Sequence, residues 1–216
     1  MDERICYFFS FLIEGLVFWN YVSILFVPKY STKIRFVCLS SGFFILFLSS
    51  LHNVFLLNCI LYTTVCFLYL IFLYKTSWYY ALFHSLLFEV LTGACELPVY
   101  SFLSTFLTSA SLRAADFHLK LLFAVMSKTL FFAVMSVLLL WLKKRQKPFL
   151  QYDKSVFFTI LIPFIAQIIV LILIAVCDST AMTAAQNRLI TTSAFFLLIV
   201  NLLIFGLNQY NQKKHL

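Results

Sequence analysis

His84–Tyr100, HSLLFEVLTGACELPVY, sets two glutamates seven residues apart, followed by a proline, inside an otherwise apolar run. The rest of the chain decides how that stretch must be read. The 216 residues are 63% hydrophobic, 19% aromatic and only 11% charged, with a mean hydropathy of +0.99. Soluble domains carry about 25% charged residues. The composition therefore points to an all-α, polytopic transmembrane helical bundle, and the two glutamates fall inside one of its spans. Three explanations are open for them: ion or proton chemistry, a polar site for sensing, or helix packing.

A membrane span needs about 20 apolar residues, within a range of about 17–25. Working outward from the quoted stretch, seven candidates emerge at about 5–27, 34–50, 53–73, 77–108, 118–142, 156–176 and 188–208. No linker or low-complexity tail separates them, so a single transmembrane domain over 1–216 is expected. The net charge of +8 comes mostly from short loops, where it sets orientation and not nucleic-acid binding. With the N-terminus outside, the inner segments hold Lys29, Lys33, Arg35, Lys75, Lys143, Lys144, Arg145, Lys147, Lys154, Lys213 and Lys214. The outer ends hold only Arg4, Arg113, Lys120 and Arg188. This bias predicts an outer N-terminus and an inner C-terminus. The acidic head and long first apolar run do not read as a cleavable signal peptide.

On a helical wheel Ser85, Glu89, Thr92 and Glu96 follow i, i+4, i+7 and i+11, which is one narrow face. A lipid-facing carboxylate costs at least about 2.5 kcal/mol, so this stripe must face the bundle interior or water. Pro98 removes the hydrogen bond that would reach the Ala94 carbonyl, and Gly93 loosens the same turns, predicting a kink at Gly93–Pro98. Counted at about 1.5 Å per residue from the outer ends, Glu14, Lys128 and Gln167 lie about 14–15 Å deep and Glu96 about 18 Å. One cation and three acids near one level predict a bundle-centre network of Glu14, Glu89, Thr92, Glu96, Lys128 and Gln167. Lys128 is expected to pair with Glu96 or Glu14, and it cannot serve all three acids. Interhelical hydrogen bonds from such groups also hold bundles together without any ligand, at about 0.6–2 kcal/mol each.

Catalytic and metal motifs are missing from the sequence. There is no glycine-rich phosphate loop, HExxH or GxSxG, and the six cysteines form neither CxxC nor a zinc-like Cys/His spacing. They read as small buried hydrophobes, with a Cys6–Cys177 disulfide a minor alternative. His84 and Cys95 project to nearly the same helix face but lie about 16 Å apart along the axis, too far for a nucleophile and its base. No cofactor or metal site is expected.

The last third of the chain carries a further pattern. A basic loop, LKKRQKPFLQYDK, leads into SVFFTILIPFIAQIIVLILI, then CDSTAMTAAQN and LITTSAFFLLIVNLLIFGLNQYNQKK. Together with YKTSWYYALFHSLLFEVL at the third-to-fourth span junction, this resembles the membrane sensor region of accessory-gene-regulator-type quorum-sensing histidine kinases of the GHKL family. The resemblance implies a multi-pass sensor in a bacterial plasma membrane, a homodimer, and an extracellular peptide or lipid-like ligand. His215 lacks a phosphoacceptor motif, so the chain by itself is expected not to be an enzyme. Two rivals remain open: a proton-coupled small-molecule transporter using the same acids and Lys128, and a non-catalytic membrane scaffold.

Overall fold

The computed structural model describes residues 2–52, 55–106 and 117–143, together with nine helical positions between 161 and 199. The chain forms two compact units, Met1–Leu150 and Gln151–Leu216, each described by itself. The first is built from five helices: α1 (Asp2–Leu25), α2 (Thr32–Ser50), α3 (Phe55–Leu73), α4 (Trp78–Phe106) and α5 (Phe117–Lys143). They lie over the first five apolar stretches read from the sequence. Among the described residues there is no strand beyond one isolated bridge, Pro28 with Tyr74. In the second unit, Leu161, Ile165, Ile168, Ile169, Arg188, Leu189, Thr192, Phe196 and Ile199 are helical. The sixth and seventh expected spans otherwise fall outside the described residues, as do Gln167 and Cys177.

Local chemistry sets the helix ends. Pro28 cannot continue α1, and a proline pushes the residue before it toward extended backbone. The chain accordingly leaves α1 at Leu25, makes the bridge to Tyr74, and enters α2 through Ser31 in extended conformation. At the opposite end of α2, turn bonds from the Leu51 and His52 amides to the carbonyls of Leu48 and Ser49 close the helix. The Ser49 hydroxyl then donates to Asn58 Oδ1 at 2.9 Å, fastening α2 to α3.

The five helices close a ring in chain order, α1 on α2, α2 on α3, α3 on α4, α4 on α5 and α5 back on α1. Close approach of α2 and α3 depends on Gly42, where a Cβ would stand 2.8 Å from Val65 Cγ1. Aromatic rings fill the middle. Phe88 of α4 meets Phe18 of α1 at 4.8 Å, Phe131 of α5 at 5.3 Å and, stacked, Tyr62 of α3 at 6.2 Å between centroids. Phe18 also touches Phe43 of α2. Offset and edge-on ring pairs of this kind add about 0.5–1.5 kcal/mol each beyond the area they bury.

The outward faces are as apolar as the core. Phe72, Val137 and Leu140 are each more than 60% exposed, a pattern suited to lipid and not to water. Arg4–Leu25, Thr32–Ser50 and Phe117–Leu140 are long and apolar enough to cross a membrane, and Leu57–Leu73 is a shorter apolar helix. The protein is a membrane protein. α4 differs from its neighbours: from Tyr79 to Val99 its described residues are all buried or half-buried, as expected of a helix packed between others. The helix continues through Gly93 and Pro98 without a break.

Candidate functional site

The charged residues expected at the bundle centre come together on Lys128. Its ammonium, on α5, donates to Glu14 Oε1 on α1 and, at 2.6 Å, to Glu96 Oε1 on α4. One cation thus ties three helices. The exposures of the two acids differ in a way that matters. The Lys128 and Glu14 side chains are each 5% exposed, whereas that of Glu96 is 40% exposed. Lys128 and Glu14 form the closed end of the site and Glu96 its open edge. Breaking a buried pair leaves an uncompensated charge, so the buried half holds the geometry while the open half can change partners.

Glu89 does not join this group. The Thr63 hydroxyl of α3 donates to Glu89 Oε2, and the Cys59 thiol faces the same carboxylate. α4 lies between α3 and α5, so carboxylates seven residues apart on one face serve opposite neighbours. A wheel gives the direction of the Cα–Cβ bond, and the rotamer of a long side chain decides which neighbour it meets. The other stripe residues turn back on their own helix. Ser85 donates to the Ala81 carbonyl at 2.7 Å and Thr92 to the Phe88 carbonyl at 3.0 Å. Both are buried, so they fill space and do not present free hydroxyls. Tyr62 of α3 lies in the interior beside Glu14. Its buried hydroxyl is directed toward Glu14 and Thr92 but reaches a well-formed hydrogen bond with neither.

Phe88 comes about two turns before Glu96, Phe131 about one turn after Lys128 and Phe18 about one turn after Glu14, and the three rings form a floor. On the α1–α5 seam, within about three turns of Glu14 and Lys128, an apolar groove of about 190 Å³ has Leu16 and Phe132 as walls and Asn20 and Ser136 as its polar points.

Two polar clusters were not anticipated as sites. Tyr21 and His84 are fully buried, and the tyrosine hydroxyl lies 2.5 Å from His84 Nδ1. Rings of Phe26, Tyr80 and Phe83 surround the imidazole. His84 therefore belongs to an α1–α4 contact about one turn from the aromatic floor. Arg35, counted from sequence as a loop charge, is buried against Trp19 and Tyr74. The available signal was its place inside an apolar helical run, where an arginine needs an interior partner.

Among the described residues no group of three His, Cys, Asp or Glu side chains could hold a metal ion. Among the described residues, Cys38, Cys59, Cys66 and Cys95 are free thiols. No known family, curated protein or solved structure matches this chain.

Proposed function

We propose that the chain is the multi-pass sensing region of a membrane receptor, with seven spans, an outer N-terminus and an inner C-terminus. The observation that carries this reading is Lys128 joining Glu14 and Glu96, with the glutamate at the open edge and an aromatic floor beneath. A site reachable on one side and filled on the other suits recognition better than passage. Two formal negative charges meet one positive, so Glu96 offers its exposed carboxylate to a cationic group on a hydrophobic peptide or lipid-like ligand. Its apolar part would lie along the helix faces, the α1–α5 groove among them.

A ligand shifts a conformation only by binding one arrangement better than another. Here the two arrangements are Glu96 held by Lys128 and Glu96 released, with α4 bending at Gly93–Pro98 where Pro98 leaves the Ala94 carbonyl without its helical donor. The resemblance in the last third of the chain to quorum-sensing receptors of bacterial plasma membranes supports the same class, as does their dimeric signalling.

The test is a binding and exchange measurement on protein in nanodiscs. A panel of cationic hydrophobic peptides should slow or speed amide exchange in α4 and α5, and Glu96→Gln should abolish the response. No peptide or lipid-like ligand altering exchange, with Glu96→Gln indistinguishable from wild type, would remove the basis for sensing. The rival carrier reading is favoured by one observation, two acids sharing one lysine. Proton or solute flux in liposomes that disappears in Glu96→Gln would establish it instead.

A further inference from the structure

Between Glu14 and Glu89 the sequence contains no aspartate or glutamate at all. That acid-free segment nevertheless carries Lys29, Lys33, Arg35 and Lys75, and the fold gathers these four at one end of the bundle. The α1–α2 and α3–α4 connections are tied by their backbones: the Lys29 amide donates to the Leu73 carbonyl at 2.8 Å and the Lys75 amide to the Val27 carbonyl at 2.9 Å. Lys29 and Lys75 therefore flank one bridge, and Lys33 lies in the first turn of α2 close by. All three lysines are exposed. Lys29 spends one of its three donors on the Ile71 carbonyl, leaving two.

Loop lysines alone need no ligand, because orientation accounts for them. Arg35 does. It is 8% exposed, and among the described residues every partner it has is neutral: Nη1 donates to the Tyr74 hydroxyl at 2.8 Å, Nη2 to Thr32 Oγ1 at 3.2 Å, and the guanidinium lies over the Trp19 and Tyr74 rings. Its Nε is buried with no acceptor among the described residues. A buried cation without a carboxylate is costly unless another anion lies nearby. The bond to Thr32 puts this guanidinium at the first residue of α2. That helix start is itself uncapped by the Ser31 side chain and has no acid in its first turn. Uncapped amides and the helix dipole favour an anion there.

The surroundings identify which anion. Val27, Tyr30, Ile34 and Trp78 are each about half exposed or more around the same connections, and tyrosine and tryptophan favour the headgroup level of a bilayer. We propose that the bridged junction of the α1–α2 and α3–α4 connections binds the phosphate of an anionic phospholipid. Lys29, Lys33, Lys75 and the α2 amides contact the headgroup, and Arg35 beneath it supplies charge from the interior. This site is independent of the Lys128 network.

The experiment is native mass spectrometry of the whole protein released from nanodiscs of equal phosphatidylglycerol and phosphatidylcholine. Retained lipid should be enriched in phosphatidylglycerol, and Lys29→Gln/Lys33→Gln/Lys75→Gln should reduce that enrichment by about tenfold or more. All three are surface positions, so folding is expected to survive. Arg4→Gln, at the other end of the bundle, should leave the enrichment unchanged. Equal retention of the two lipids, or enrichment that persists in the triple variant, would overturn the proposal. Displacement of phosphatidylglycerol by inorganic phosphate at comparable concentration would do so too, by showing a site for the free ion.

Discussion

Lys128 is the residue on which the interior balance turns. Replacing it by methionine leaves Glu14 buried and unpaired, a loss expected at about 3–5 kcal/mol, read as a lower unfolding midpoint in detergent. The same three positions changed together, Glu14→Gln/Lys128→Met/Glu96→Gln, should recover most of that loss, because no isolated charge remains. Equal destabilisation by the single and triple variants would mean that Lys128 contributes packing and not charge. The sequence already marked Glu14, Glu96 and Lys128, since charges inside apolar runs stand out and their depths agreed. It could not separate Glu89 from Glu96. Both point the same way from α4, and the choice between Thr63 and Lys128 depends on neighbours that one helix does not reveal. Arg35 and His84 were hidden for other reasons. Arg35 borders a basic loop, and the partner of His84, Tyr21, is a common aromatic in a chain rich in them.

At the scale of the helices, the first five apolar stretches were legible as helices to within a few residues, because long apolar runs bounded by polar breakers dictate them. The ring order was not, since hydropathy says nothing of which face meets which neighbour. Gly42 tests that packing. Alanine there must displace Val65, so Gly42→Ala should destabilise by about 1–3 kcal/mol, and Val65→Ala in the same chain should restore much of it. Thermal unfolding of the four variants as a double-mutant cycle measures the coupling. α4 provides the second test. Pro98→Ala returns a donor for the Ala94 carbonyl and should raise stability by about 1 kcal/mol. Slower amide exchange around Ala94–Pro98 is expected with it. Unchanged exchange there would show that the proline does not loosen α4, and the proposed bending element would be lost.

Over the whole molecule, the distribution of Lys and Arg predicts an orientation that can be checked directly. A reporter joined after Thr76 should be active only on the cytoplasmic side, and one joined after Ser111 only on the outer side. The reverse pattern would invert the topology and move the basic junction to the other leaflet. The switch proposed for the bundle is most directly tested across α4, by the distance between spin labels at Leu68 of α3 and Val125 of α5, both exposed, in a background lacking the native cysteines. Wild type should give one dominant distance, and Glu96→Gln, which releases α4 from Lys128, should add a second population without any ligand. A single distribution, identical in the two proteins, would contradict the claim that the Lys128–Glu96 contact holds the bundle in one of two arrangements.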